Sequence, residues 1–125
     1  GIVFIFLFLF SSPNNSAETF PNDLFYILLF YSIIVAPITE EIWFRSFFYR
    51  GFKNKYGTII AGTASIVLFL LYHITNLSLL PLILFGIVIT VFYEKTGSLY
   101  GCMIIHAITD FVFLTFRKFG HIFLQ

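Results

Sequence analysis

Residues 56–93 read YGTIIAGTASIVLFLLYHITNLSLLPLILFGIVITVFY and contain no Asp, Glu, Lys or Arg. A membrane-spanning helix needs about 20 apolar residues to cross roughly 30 Å of hydrocarbon. This charge-free run is therefore long enough for two crossings, with a break near residues 76–81. The run predicts helices rather than strands, because it lacks a period-two alternation and lipid does not tolerate an open sheet edge.

The composition of the whole chain agrees with a membrane protein. Of its 125 residues, 59% are hydrophobic and only 10% are charged, whereas an ordinary soluble domain has about a quarter of its residues charged. Its 19 Phe and 7 Tyr are too many for one small core to bury. The net charge is only +1 and no long basic cluster is present, which excludes a nucleic-acid partner.

Charged residues on both sides of the apolar run mark the ends of further helices. We predict helices at about 58–75, 79–95 and 98–116, preceded by a segment from about 24 to 52 that Pro37 bends or breaks. The predicted fold class is all-α, a polytopic bundle of about four to five transmembrane helices. We expect a multi-pass integral protein of the cell membrane, with lipid as its surroundings.

The ends of the chain suggest its organisation. Residues 1–10 are an uninterrupted apolar run without a preceding basic segment, which favours the end of a truncated membrane helix over a signal peptide. We therefore predict an N-terminally truncated chain in three parts. Residues 1–23 end an upstream helix and form a polar loop, residues 24–117 form the intramembrane domain, and residues 118–125 form a short tail.

Two groups of charges are predicted to mark the same water interface. Lys53 and Lys55 lie two crossings before Lys95, so both groups face the same side of the membrane. Basic loops favour the cytoplasmic side, where the neighbouring Glu94 also meets water.

Six ionisable residues lie at predicted membrane depth, where a charged group costs at least about 2.5 kcal/mol and suggests a functional site. They are Glu40, Glu41, Arg45, His73, His106 and Asp110. Glu41 and Arg45 are spaced i,i+4 on one helix, close enough to form an ion pair that lowers their desolvation cost. His106 and Asp110 have the same spacing on the last helix.

Glu40 differs from Glu41 although the two are adjacent. It is rotated by about 100° around the helix, and the residue one turn later is Phe44. This pattern favours a structural role for Glu41 and a reactive role for Glu40. Phe69 precedes His73 by one turn, which predicts an aromatic ring beside that imidazole.

The spacing also predicts where these groups lie in depth. An antiparallel hairpin closing at Gly57 places Glu40 and His73 at equal depth, roughly 24 Å above the turn at 1.5 Å per residue. His106 lies only about 13 Å above its own turn at Gly97 by the same rise. We expect tilt or a protruding loop to absorb the difference of roughly 10 Å.

If the three groups meet, they suit amide hydrolysis inside a membrane. A carboxylate and an imidazole, Glu40 and His73, can take a proton from water and direct it at a carbonyl. A second imidazole, His106, can stabilise the oxyanion that forms. Two His and one Glu are also a common zinc ligand set. The residues alone leave open a metal-free mechanism and one with a divalent metal such as zinc held by Glu40, His73 and His106.

Three short motifs resemble those of the CPBP family of intramembrane proteases, the CAAX protease and bacteriocin-processing or Abi family. EEIWFR at 40–45 resembles EExxxR, FLLYH at 69–73 resembles FxxxH, and HAITD at 106–110 resembles HxxxN/D. Residues 85–86 and 96–99 also resemble family positions. The resemblance covers most of 24–117, and the three motifs occur in order, each on a predicted helix.

The resemblance implies an all-helical membrane endopeptidase whose substrate is a membrane-associated, CAAX-type peptide or protein. Glu40 and His73 would activate the attacking water, and Glu41 with Arg45 would support the site. His106 would stabilise the oxyanion together with position 110. The family has been described both as metalloprotease-like and as metal-independent with a catalytic glutamate.

Position 110 departs from the commoner family residue, because it is Asp rather than Asn. An ionised carboxylate cannot donate a hydrogen bond to an oxyanion. Either Asp110 is protonated by burial or it orients His106 instead.

Two other functions remain open at the level of sequence. The same helical scaffold could serve as a non-catalytic membrane immunity or binding protein. Buried Glu and His residues could also line an ion or proton pathway, although no second half or inverted repeat accompanies them.

Overall fold

The computed structural model describes residues 22–73 and 79–119, and every element in these two ranges is helical. The prediction of an all-helical fold is therefore confirmed. The elements are α1 (Asn22–Phe30), π-helical segment π1 (Tyr31–Val35), α2 (Ala36–Glu41), π-helical segment π2 (Ile42–Tyr49), α3 (Arg50–Tyr72), α4 (Leu79–Thr96) and α5 (Leu99–Phe119). The predicted upstream helix end, most of the predicted break after His73 and the end of the tail lie outside the described residues.

Pro37 does not end the first long segment. It lies in the first turn of α2, directly after π1, and the backbone at Val35 and Ala36 keeps helical torsion angles. Proline lacks an N–H and its ring clashes with the carbonyl four residues earlier in an α-helix. The wider turns of π1, in which the Ala36 N–H reaches Tyr31 O, absorb both defects, so the chain stays helical through the proline.

The chain reverses direction at Gly57 inside α3. Gly57 has φ 82° and ψ 172°, a combination that is open almost only to glycine. The helix after it packs back against π2, with the Phe44 and Phe69 rings 5.4 Å apart. The buried Ser65 hydroxyl donates to Phe44 O at 3.0 Å across this pair. These contacts form the predicted antiparallel hairpin.

Helices α4 and α5 complete the bundle. The turn between them uses Gly97 at φ 64°, and α4 packs against α3 while α5 packs against α4, α2 and π1. The main buried core contains Tyr49, Ala61, Ile89, Tyr93 and Cys102. A smaller one joins Leu28 of α1 to Leu114 of α5.

The outer surface is suited to lipid. Two helical stretches, Asp23–Tyr72 and Leu99–Phe116, are long and apolar enough to cross a membrane. Large apolar side chains face outward along the described helices, among them Ile59, 85% exposed, and Tyr100, 81% exposed. The polar residues described in the next section face inward instead.

Candidate active site

The structure gathers the six ionisable residues singled out from the sequence into one cluster. Glu40 and Glu41 lie at the end of α2 and Arg45 on π2, while His73 ends α3. His106 and Asp110 lie one turn apart on α5. All are buried except Asp110, whose side chain is 29% exposed.

Glu40 lies at the centre of this cluster and faces both histidines. Its Oε2 atom is 3.3 Å from His73 Nε2 and 3.8 Å from His106 Nε2. The opposite nitrogen of His73, Nδ1, donates to Phe69 O at 2.9 Å. This backbone contact fixes the imidazole so that Nε2 points at the carboxylate, since each ring nitrogen's role is set by the bond that the other makes.

Glu41 forms a hydrogen bond with the second histidine, His106, at the ring nitrogen that does not face Glu40. Its Oε1 atom accepts a hydrogen bond from His106 Nδ1 at 2.8 Å. Its other oxygen lies 3.2 Å from Arg45 Nε, in a pair whose two side chains are at most 1% exposed. The predicted Glu41–Arg45 ion pair is therefore present. The same Glu41 carboxylate contacts Arg45 with one oxygen and His106 with the other. Residue spacing did not predict the contact with His106, because 65 positions separate its two residues.

Asp110 lies on the Nε2 side of His106. Its Oδ2 atom is 3.8 Å from His106 Nε2, the nitrogen that also faces Glu40. Nδ1 of the same ring is held by Glu41. Asp110 is thus the most exposed member of the cluster, and it faces the ring nitrogen of His106 that Glu41 leaves open.

Aromatic rings enclose the two imidazoles. The Phe69 ring lies 4.2 Å from the ring of His73, as the spacing predicted, and 6.2 Å from that of His106. Phe85 of α4 lies 5.1 Å from the His106 ring, a contact that residue spacing did not predict. The buried Ser65, which ties the hairpin to Phe44, was missed as well, since nothing in its sequence surroundings distinguishes it from other helical serines.

The folded chain brings His106 close to Glu40, although the sequence predicted the two residues at different depths in the membrane. Its Nε2 atom reaches to within 3.8 Å of Glu40, although the helix rise alone left roughly 10 Å between them. Helix α5, which carries His106, packs directly against α2 and π1. This packing places His106 beside Glu40, which lies on α2. The choice between helix tilt and a protruding loop as the way the offset is absorbed stays a prediction.

A bound metal was one possibility that the residue types left open. Glu40, His73 and His106 are zinc-ligand types. Within residues 22–73 and 79–119, however, no group of three or more His, Cys, Asp or Glu side chains is arranged to hold a metal ion. Whether an ion binds there stays a prediction, and the mechanism proposed below uses only the side chains of this chain.

The family model described as type II CAAX prenyl endopeptidase Rce1-like matches residues 22–112 of this chain. The chain belongs to this type II CAAX endopeptidase family. The matched range contains the entire Glu40–His73–His106 cluster together with Asp110. The family is a membrane-embedded helical bundle, in agreement with the fold.

Curated relatives of this CAAX-endopeptidase-family chain come from Lactococcus lactis subsp. lactis strain IL1403. The UPF0177 protein YbdI is 32% identical over 109 residues, which cover 85% of this chain and 56% of the relative. The UPF0177 protein YxdF is 36% identical over 76 residues, 59% of this chain and 41% of the relative. The chain thus spans about half the length of the curated relatives it matches. No solved structure matches it.

Proposed function

We propose that this chain carries the active site of an intramembrane endopeptidase that hydrolyses a peptide bond of a membrane-associated substrate. The observation that carries the proposal is the position of Glu40 Oε2, which faces the Nε2 atoms of His73 and His106 at 3.3 and 3.8 Å. A buried carboxylate between two oriented imidazoles is suited to proton transfer to and from a reacting water. The prenyl endopeptidase family supports a prenylated, CAAX-type substrate.

In the proposed reaction, Glu40 takes a proton from a water molecule that His73 orients. The water oxygen bonds to the scissile carbonyl carbon, and the carbonyl oxygen becomes an oxyanion. His106 acts in the form protonated at both ring nitrogens: Nδ1 donates to Glu41, and Nε2 donates to the oxyanion. This stabilisation is strong in a site of low dielectric. The C–N bond then breaks, and the proton held by Glu40 passes to the leaving amine.

The surroundings of the site agree with a reaction inside the bilayer. The cluster lies between helical stretches that are apolar enough to span a membrane, and large apolar side chains cover their outer faces. We propose a multi-pass protein of the cell membrane that receives its substrate from the lipid phase. The exposed side of Asp110 is the side from which the substrate would enter.

The test is cleavage of a farnesylated CAAX peptide by the full-length protein in liposomes, compared with its Glu40→Gln variant. We expect E40Q to abolish cleavage while the helical content and thermal stability stay unchanged, since Gln keeps the size of the side chain but is not a base. Asp23→Asn is the matched control, because Asp23 is an exposed carboxylate outside the cluster, and it should cleave normally.

Equal turnover by E40Q and the unmodified protein would overturn the proposal. That result, together with a preserved cellular phenotype in a His73→Gln variant, would favour a non-catalytic binding or immunity protein on the same scaffold. Comparing the farnesylated peptide with its unprenylated form tests the substrate class separately from the chemistry.

A further inference from the structure

The turn end of the bundle, opposite the candidate active site, collects basic residues from two distant parts of the chain. Arg50, Lys53 and Lys55 lie at the start of α3, and Lys95 lies at the end of α4. Lys53 Nζ lies 2.7 Å from Glu94 Oε2, the residue next to Lys95. This contact brings the start of α3 next to the end of α4, and the four cations on these two helix ends are here called the basic rim.

Only one member of the basic rim is neutralised. Glu94 accepts hydrogen bonds from Lys53 and from the buried Tyr49 hydroxyl. These two bonds, that of Lys53 first, hold the pKa of Glu94 below its ordinary value, so the carboxylate is ionised at neutral pH and committed to Lys53.

Three cations of the rim remain exposed. Within the described part of the chain, Arg50, Lys55 and Lys95 form no ion pair with a carboxylate, and all three are exposed to the surroundings. Lys55 lies over the ring of Tyr56, with Nζ 5.1 Å from the ring centroid. The rim therefore presents a local excess of positive charge that the protein does not compensate itself.

The basic rim lies where a membrane surface is expected. The apolar faces of α3 and α5 begin next to it, and the exposed rings of Tyr56 and Tyr100 flank it. Exposed tyrosines of this kind are typical of the headgroup level of a bilayer. Cations at that level attract anionic lipids, an effect that falls off within one Debye length of the surface.

We propose that the three exposed cations of the basic rim that are not paired with Glu94, namely Arg50, Lys55 and Lys95, form a site that binds the phosphate headgroup of an anionic phospholipid. Its charge complements a phosphodiester, and its position beside outward apolar helices lets the acyl chains lie along the same protein surface. Lys53 takes part indirectly, because its pairing with Glu94 holds α3 and α4 together at the rim. This inference does not depend on the proposed peptidase activity.

The test uses the full-length protein in vesicles of phosphatidylcholine and phosphatidylglycerol in equal parts. The protein is extracted in mild detergent, and mass spectrometry measures the ratio of the two lipids that remain bound. We expect phosphatidylglycerol to be enriched over its share in the vesicle. In the Arg50→Gln, Lys55→Gln, Lys95→Gln triple variant the enrichment should fall, by roughly fivefold for each cation removed.

Two controls separate lipid recognition from a folding defect. The charge-preserving triple variant Arg50→Lys, Lys55→Arg, Lys95→Arg should keep the enrichment, and Lys53 is left unchanged in both variants to preserve its contact with Glu94. For the unmodified protein, raising the ionic strength from about 0.1 M to about 1 M shortens the Debye length from about 10 Å to about 3 Å and should reduce the enrichment. Equal enrichment in the glutamine variant, or at both salt concentrations, would overturn the proposal.

Discussion

His73 Nε2 lies 3.3 Å from Glu40 Oε2, although 33 positions separate the two residues in the chain. The hairpin that closes at Gly57 brings them together, and the same register sets Phe44 against Phe69. The geometry of the candidate active site therefore depends on where the chain reverses, which is one helix length away from the site itself.

The first prediction concerns this reversal. Gly57→Ala should destabilise the protein by about 1–3 kcal/mol, because a Cβ is strained at φ 82° and ψ 172°. Gly51→Ala is the matched control, since a Cβ there meets nothing within 4 Å and needs no unusual backbone angle. Thermal unfolding in detergent should show a lower Tm for G57A only. Equal Tm values for the two variants would contradict the role assigned to Gly57.

The second prediction asks whether Glu41 and Arg45 contribute to cleavage as well as to the stability of the fold. Arg45→Met leaves the Glu41 carboxylate buried without its guanidinium, which should cost about 3–5 kcal/mol. The double variant Glu41→Gln, Arg45→Met removes both charges and should recover most of that stability. Its cleavage should nevertheless stay about 10- to 100-fold below that of the unmodified protein, because the carboxylate that holds His106 Nδ1 is lost.

Thermal unfolding and kcat for peptide cleavage, measured on the same preparations, check this pair of variants. A double variant with both stability and normal kcat would show that Glu41 and Arg45 are only structural.

The third prediction addresses the unusual residue at position 110. Asp110→Asn keeps the shape of the side chain and adds an N–H donor on the Nε2 side of His106, where the structure places this residue. We expect D110N to cleave at least as fast as the unmodified protein, because an amide can donate to the oxyanion and an ionised carboxylate cannot.

Asp110→Ala tests whether the position contributes at all. It removes the carboxylate that faces His106 Nε2 and would orient that ring. We expect kcat to fall by about tenfold, the size that corresponds to about 1.4 kcal/mol. An inactive D110N would instead show that the carboxyl group itself takes part in the reaction.

Much of this site could be predicted from local spacing. The Glu41–Arg45 pair and the ring of Phe69 beside His73 follow from the i,i+4 geometry of a helix, and the structure shows both. The hairpin followed from a glycine near the midpoint between two polar residues. Each of these inferences needs only helix rise, helix period and one turn.

What spacing could not predict depends on how separate helices pack. The hydrogen bond from His106 to Glu41 and the ring of Phe85 against His106 arise because α5 packs against α2 and α4, and no local pattern encodes that packing. Pro37 was expected to bend or break its helix. The chain instead stays helical because π1 widens the turn before the proline, a geometry that single-residue propensities do not describe.

The last prediction concerns the metal question, which residue types alone left open. Because the proposed mechanism uses Glu40 as the base and the imidazoles of His73 and His106 as its partners, and needs no bound ion, we expect cleavage to survive dialysis against a chelator. The measurement is kcat/KM for the farnesylated peptide before and after dialysis, with E40Q as the inactive reference. A zinc metalloprotease treated in parallel shows that the chelation is complete. Loss of cleavage that added Zn²⁺ restores would contradict the metal-free mechanism and would point to Glu40, His73 and His106 as the ligands of the ion. The Glu40 dependence should persist in either case, so this result does not affect the peptidase proposal itself.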